Sequence, residues 1–418
     1  MFGKKTAMAL GLAAALAGTS ARAIEGPVPH GVPHLDHVWV IMMENHGFSQ
    51  ISQNPFAPFI NQWMKQANLA TNYFAIAHPS LTNYLEVVGG SNFGVHSDNN
   101  PDWHSKTCTP NLLSGAVNTD APPSPAICPI AGTGTEAATP AIDTTNETQG
   151  PPGEINIDGT MSIPAANNIS GKTIADQAYE HGLGWRSYQE SISFTGPDGV
   201  NISDGVFDNN TPYNLFTGMT PPLSASNVVA LYASKHNPFV YFKNVQEAGD
   251  EGENGYRNIR GFDGEHGLYA ELARGHAPAY SFIAPNQCND MHGRGNGTAF
   301  CQYDPNDNGT QTGLNPALIY AGDVAVEKVY RAIKGSPAWR EGHNAIVLLF
   351  DENDYATAPI NNRVVLVVDK NYGRLGVQSS TFYTHYSLLK TIEGGLRLPC
   401  LNHACDSNVP VMSDLFAE

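Results

Sequence analysis

The chain has 418 residues and a net charge of −17, with only 15% charged residues but 41 Gly and 29 Pro. That length accommodates one large α/β domain with insertions, or two domains. The acidity excludes a basic nucleic-acid footprint and attraction to anionic membrane surfaces, so any handling of phosphate esters calls for local positive charge, most simply a metal ion.

The N-terminus reads as an export signal. Lys4 and Lys5 precede an apolar run over 7–17, and Ala21-Arg22-Ala23 is an A-x-A cleavage site. The run is too short for a membrane anchor, and no other stretch of about 18 apolar residues occurs. The expectation is a signal peptide over 1–23 and a single domain over 24–418, exported to the periplasm or beyond, without stable membrane anchoring. Cys108, Cys128, Cys288, Cys301, Cys400 and Cys405 suit that compartment. They fall into three sequence-local pairs, which suggests three loop-pinning bridges, and no C-x-x-C motif offers a cysteine metal site.

Residues 35–43 form a near-continuous apolar run, the pattern of a strand buried on both faces, which ends in Glu44-Asn45-His46-Gly47. Helical spacing follows over 58–67. A second short strand over 72–76 delivers the chain to the stretch 77–90. There Ser80 begins a helix, where free N–H groups and the helix dipole favour negative charge. Asn83 stands at i+3 and can face the same space. Serine is also a common helix cap, so Ser80 alone does not separate a cap from a reactive hydroxyl. Gly89-Gly90 fits a helix stop better than a phosphate cradle. Residues 96–170, rich in Pro, Thr, Ala, Asn and Gly, read as an irregular insertion tied by Cys108 and Cys128, with a low-complexity linker as the alternative.

From 171 the alternation resumes: helix 173–181, strand 184–188, strand 238–245 (PFVYFKNV), helix 265–275 and strand 279–284. A second loop insertion over 286–316 carries Cys288 and Cys301. Helix 323–334 and strand 344–350 follow, the strand ending in Asp351-Glu352-Asn353-Asp354, and strand 363–368 and helix 386–393 close the pattern. Strands alternating with helices predict an α/β fold, a doubly wound and mostly parallel sheet covered on both faces. In such folds chemistry collects beyond the carboxyl ends of the strands.

Glu44 and Asn45, and likewise Asp351 and Glu352, follow buried strands with no turn residue between. Together they form a hard-oxygen set that suits Ca²⁺, Mg²⁺ or Mn²⁺ better than Zn²⁺; as separate pairs they can equally cap neighbouring helices. Asn289-Asp290-Met291-His292 ends a third strand. His292 can donate to a phosphate oxygen or protonate a leaving group, Asp290 can orient it or bind metal, and His385 is a second candidate for the same work. His78 reads as structural, with a phosphate contact as the alternative, and His46 as a loop residue. His104, His181, His236, His276, His343 and His403 receive no role. Arg186 can meet an anion or pair on the surface. No G-x-S-x-G, H-E-x-x-H, P-loop or dinucleotide fingerprint is present.

HVWVIMMENHGF, HPSLTNYLEVVGGSNFG, SFIAPNQCNDMH, Gly322-Asp323 as a helix start, VLLFDEND and HYSLLKTIEGGL occur in the order and spacing of the bacterial phosphoesterase family of secreted acid phosphatases and phospholipases C. The chain resembles that family over most of 35–396, and most of all its secreted acid phosphatase branch, some members of which act on phosphatidylinositol 3-phosphate. The resemblance implies an alkaline-phosphatase-like fold with disulfide-tied loops. It also implies Ser80 as nucleophile, Asn83 as phosphate contact, Glu44, Asn45, Asp351 and Glu352 as metal or active-site ligands, and His292 and His385 near the phosphate. Two positions depart from the family pattern: Thr82 stands where proline is common before the asparagine, and Gly293 where an aspartate commonly follows the histidine.

The combined expectation is a secreted phosphatase that hydrolyses phosphate monoesters through a phosphoserine with a divalent metal. Ser80, His292 and His385 are its catalytic residues, Asn83 and His78 its substrate contacts, and Glu44, Asn45, Asp351, Glu352 and Asp290 its metal ligands. The substrate is a phosphorylated small molecule or phosphoinositide. An acid optimum is expected if a histidine must be protonated near its ordinary pKa of about 6.5. The alternatives are a phospholipase C-type diester cleavage and a non-enzymatic cation-binding protein with a degenerate site.

Overall fold

The computed structural model describes residues 25–93, 98, 171–192, 231–249, 252–293, 301–305, 308–353 and 362–418, with the backbone of short strands at 109–110, 127–128, 206–207 and 229–230. The expected signal peptide, nearly all of the 96–170 insertion with Cys108 and the Cys128 side chain, and Asp354 lie outside the described residues.

Eight strands form one sheet: β1 (His37–Met43), β2 (Asn68–Ala70), β3 (Trp185–Gln189), β4 (Ile259–Arg260), β5 (Tyr280–Ala284), β6 (Asn344–Phe350), β7 (Leu366–Lys370) and β8 (Gln378–Ser379). Their order is β8-β2-β7-β6-β1-β5-β3-β4. The run β6-β1-β5-β3-β4 is parallel throughout, and β7 is antiparallel to both β6 and β2. The mostly parallel α/β expectation is met. After His37 and Asn344, β1 and β6 are apolar throughout because helices cover both faces, so neither face needs polar residues.

The register assigns the helices to faces. Phe282 of β5 pairs with Val40 and meets Tyr84 of α2 (Ser80–Gly89), whereas Trp39, one step along β1, meets Trp339 just past the long helix Pro316–Gly335. Successive strand residues point to opposite faces, so these two helices lie on opposite sides of the sheet. On the α2 side pack α3 (Ile174–Glu180) and the helix His385–Leu396; on the other, α1 (Pro58–Gln66) and Leu268–Arg274 pack on Pro316–Gly335. Fully buried Trp39, Phe282 and Phe350 each contribute about 1.5–3 kcal/mol to this core.

Every residue of α2 is buried, including Thr82, which takes its place in the first turn. The helix ends at Gly90 (φ 67°), where a Cβ would stand 2.4 Å from the Leu401 carbonyl oxygen, so the expected glycine stop is present and only glycine fits it.

Three expectations are corrected. PFVYFKNV is not a strand: Pro238–Tyr241 is a 3₁₀ turn and Lys243–Ala248 (α4) a helix, because a short apolar run suits a buried helical segment as well as a strand. Gly322-Asp323 is not a helix start. The helix begins at Pro316 with Asn315 as its cap, and Gly322 lies within it because a Cβ there would meet Met291 and Met43 under the strand ends. Strand 363–368 is displaced to Leu366–Lys370, with Arg363 and Val364 making only isolated bridges. Two of the three expected bridges are present, Cys288–Cys301 and Cys400–Cys405. Among the described residues no helix is long and apolar enough to cross a membrane.

Candidate active site

Parallel neighbours end at the same edge, and β6, β1 and β5 are consecutive in the sheet. The chain leaves each of them into acidic residues. Pairing continues past the strands: Asp351 N donates to Met43 O at 2.9 Å, and Glu44 N to Asp290 O at 2.9 Å. Those bonds place Glu44, Asp290, Asp351 and Glu352 side by side at 0–2% exposure. Asn45 follows in the left-handed region (φ 58°), which asparagine tolerates, and its N–H donates to Asp351 Oδ1 at 2.9 Å.

The first residue of α2 points its hydroxyl at this group. Ser80 Oγ is 3.1 Å from Glu44 Oε2 and 3.0 Å from Glu352 Oε1. One hydroxyl proton serves one acceptor at a time, so either carboxylate can take it. Asn83 turns back onto the loop before the helix. Its Oδ1 accepts from Ile76 N and Ala77 N, both at 3.0 Å, and its Nδ2 donates to Ala77 O at 2.7 Å and Glu352 Oε2 at 3.2 Å. His78 is buried with Nδ1 2.7 Å from Glu352 Oε2, so this histidine orients a carboxylate.

His236, given no role from sequence, is in the centre of the site. Nε2 lies 2.9 Å from Glu44 Oε1 and Nδ1 3.1 Å from Asp290 Oδ2. Burial works against its charge, but Glu44 and Asp290 push its pKa up to about 9. Burial likewise raises Glu44, and the attraction of His236, Lys235 and His292 outweighs it, leaving that carboxyl well below the usual range. Burial raises Asp290 to about 6 against the pull of His236. His46 is also more than a loop residue: it is buried with Nδ1 2.9 Å from Glu44 O and Nε2 3.0 Å from Asp304 Oδ2.

His292 stands at the rim. Its N–H donates to Asp290 Oδ1 at 2.7 Å, and Nδ1 lies 2.8 Å from Gly293 O, so Nδ1 carries the proton. Nε2 is then a lone pair, and it faces Lys235 Nζ at 3.3 Å. Burial and Lys235 together push His292 down to about 3. His385 opens its helix beneath the site, with Nε2 2.7 Å from Asp351 O and Nδ1 2.7 Å from the Tyr73 hydroxyl; burial takes it down to about 4. Both imidazoles are therefore neutral near pH 6.5, which removes the basis for an acid optimum set by either of them. Lys235 was also missed. Its Nζ is 2.8 Å from Asp98 Oδ2 and 3.4 Å from Ser80 Oγ. Arg186 pairs with Asn258 and Glu271, away from this edge.

The donor chemistry fits a divalent cation. Burial, with the charges of Glu44 and Glu352, holds Asp351 well above the usual carboxylate range, and its Oδ2 is buried with no hydrogen-bond partner among the described residues. Burial also raises Glu352, against the opposing pull of His78. Such a cluster gains from a cation beside it. Among the described residues no three Asp, Glu, His or Cys side chains are already gathered as a ligand cage, so Glu44 and Glu352 would exchange present partners to join Asp351.

A model described as the Phosphoesterase family matches residues 52–303. The chain is 25% identical over 354 residues to a phosphate-repressible acid phosphatase of Penicillium chrysogenum, across 84% of this chain and 57% of that protein. It thus spans little more than half the length of that relative. It is 33% identical over 76 residues to a phosphatidylinositol-3-phosphatase of Mycobacterium tuberculosis, across 18% of this chain and 25% of that protein. Among solved structures it resembles a protein in the alkaline phosphatase superfamily from Vibrio parahaemolyticus, with a TM-score of 0.45 and 11% identity over 95% of this chain and 73% of the other.

Proposed function

The chain belongs to the phosphoesterase family, and from that membership we propose that it is an exported phosphatase that hydrolyses phosphate monoesters through a phosphoserine on Ser80. The observation that carries this reading is the Ser80 hydroxyl, at a helix start, within 3.1 Å of two buried carboxylates. Names among the relatives support a phosphatase, and the short likeness to a phosphatidylinositol-3-phosphatase supports a phosphoinositide as one substrate to test. The Cys288–Cys301 and Cys400–Cys405 bridges suit an oxidising compartment outside the cytoplasm.

In the proposed reaction Glu44 or Glu352 takes the Ser80 proton as Oγ attacks phosphorus in line. The helix-start N–H groups face the developing charge. Asn83 fixes Glu352 and the loop, and His78 holds the same carboxylate oxygen, Oε2, leaving Oε1 to Ser80. His236 keeps Glu44 ionised, and Glu352, raised by burial, is the stronger proton acceptor of the two. A divalent ion held by Asp351 with Glu44, Asn45, Glu352 and Asp290 would neutralise substrate charge and lower the hydroxyl pKa.

The test is a panel of an aryl monophosphate, a phosphoinositide and a phosphocholine diester, assayed with and without chelator on the wild type and Ser80→Ala. Turnover of monoesters that falls at least ~10⁴-fold in Ser80→Ala is expected, by analogy with removal of other serine nucleophiles. Retention of most wild-type turnover would sink the nucleophile assignment.

A further inference from the structure

Ser80 Oγ has two unlike kinds of neighbour. Glu44 and Glu352 bring carboxylates to it. Lys235 brings an ammonium. It sits on the 3₁₀ turn Ser234–His236 that packs against α2, and its side chain is 14% exposed. An ammonium has three N–H bonds, and three acceptors surround this one: Asp98 Oδ2 at 2.8 Å, His292 Nε2 at 3.3 Å and Ser80 Oγ at 3.4 Å. The last two contacts are long for hydrogen bonds and short for a charge, so a phosphoryl oxygen replaces them at little loss.

Among the described residues the other candidate cations near the site are committed elsewhere. Both nitrogens of His236 face Glu44 and Asp290, and His292 presents a lone pair. Lys235 keeps its charge: burial opposes it, but Asp98, Glu44 and Glu352 hold the ammonium above its ordinary pKa. Its position is tied to the nucleophile, because Asp98 accepts from Leu81 N at 3.0 Å through Oδ1 while Oδ2 holds Nζ. One carboxylate thereby fastens the cation to the first turn of the helix that carries Ser80.

We propose that Lys235 is a catalytic residue that binds a nonbridging oxygen of the transferring phosphoryl group and makes the site prefer dianionic phosphate monoesters to monoanionic diesters. The assignment rests on the reading of Ser80 as nucleophile. An Oγ lone pair forms the new O–P bond while the electron pair of the old P–O bond leaves on the alcohol oxygen, which takes a proton from solvent. The Ser80 proton passes to Glu44 or Glu352 and returns when water cleaves the phosphoserine. Lys235 keeps its proton throughout and faces two negative charges on the monoester, against one on a diester.

The experiment uses the full chain with Lys235→Met and Lys235→Arg, assayed on 4-nitrophenyl phosphate and methyl 4-nitrophenyl phosphate under one metal supply. Lys235→Met is expected to lose on the order of 10²–10³-fold in kcat/KM on the monoester, as for removal of one preorganised donor, and about tenfold or less on the diester. Lys235→Arg restores part of the monoester rate, and inhibition by inorganic phosphate weakens in Lys235→Met. Equal losses on both esters, or a monoester loss below about threefold, overturn the assignment while leaving the phosphatase reading intact. If the wild type hydrolyses neither ester, the phosphatase reading fails, and calorimetry with inorganic phosphate decides for Lys235: weaker binding by Lys235→Met supports it, and equal binding or none by the wild type overturns it. Should Lys235→Met fail to fold, the monoester-to-diester ratio of Lys235→Arg decides: a ratio at least threefold below wild type supports the assignment, and an unchanged ratio overturns it.

Discussion

The His236 imidazole lies flat on the Tyr84 ring, centroids 5.3 Å apart and planes 10° from parallel. Tyr84 is one turn beyond Ser80 on α2, so this stack joins the Ser80 helix to the imidazole that holds Glu44 and Asp290. Removing the imidazole strands two buried carboxylates. His236→Phe is predicted to cost about 3–5 kcal/mol in urea unfolding, the usual result of breaking a buried ion pair from one side. In a Glu44→Gln background the same substitution should cost clearly less. Simple additivity of the two changes would show that the pair is not coupled.

His292 is predicted to act as a neutral group. Its imidazolium forms only below about pH 3, because burial and Lys235 both oppose the charge. His292→Gln should therefore scale the pH–rate profile down by about tenfold without reshaping it above about pH 4. A limb near pH 6.5 present in the wild type and absent from the variant would contradict this.

The Cys288–Cys301 bridge closes a loop with a sequence separation of 13, and His292 lies inside it. Tyr303, just outside, sets its ring edge-on to His292 with centroids 5.6 Å apart. Replacing both cysteines by serine should lower stability by about 2–4 kcal/mol and depress kcat/KM more than a remote substitution of equal cost. Unchanged kcat/KM at a temperature where the variant remains folded would show that the bridge serves stability alone.

Glu393, two turns beyond His385 on the helix His385–Leu396, is a buried carboxyl, and burial raises its pKa well above the ordinary value. A raised folded-state pKa means that the group's stability contribution is complete below the unfolded value of about 4.3 and is lost as pH rises through the folded value. Glu393→Gln can still accept from Leu401 N, now 2.9 Å from Oε1. Its stability relative to wild type should therefore increase with pH, read as the difference in thermal midpoint between acid and neutral buffer. A constant difference would place the Glu393 pKa near its unfolded value.

The strand ends were legible because burial on both faces demands unbroken apolar runs, and Glu44 and Asp351 interrupt those runs abruptly. Ser80 and Asn83 were legible from spacing, since i and i+3 share a helix face. Lys235 and His236 were not. They sit on a 3₁₀ turn that has no periodicity of its own, and the apolar residues after it fit two secondary structures equally. What selects them is contact with Glu44, Asp290 and Asp98, residues distant in sequence. The start of the long helix was missed for a related reason: Asn315 and Pro316 mark it, but residues before them read as loop.

Glu44, Asp290 and Asp351 come from remote parts of the chain and meet only because β6, β1 and β5 are neighbours. Their mutual charge opposes that meeting until His236 arrives from a fourth segment. The last contacts to form in folding are therefore expected to be those that create the chemistry, since pairings distant in sequence close slowly. A polypeptide still being assembled would carry Ser80 apart from its carboxylate partners, and the whole group would be joined all at once with completion of the sheet.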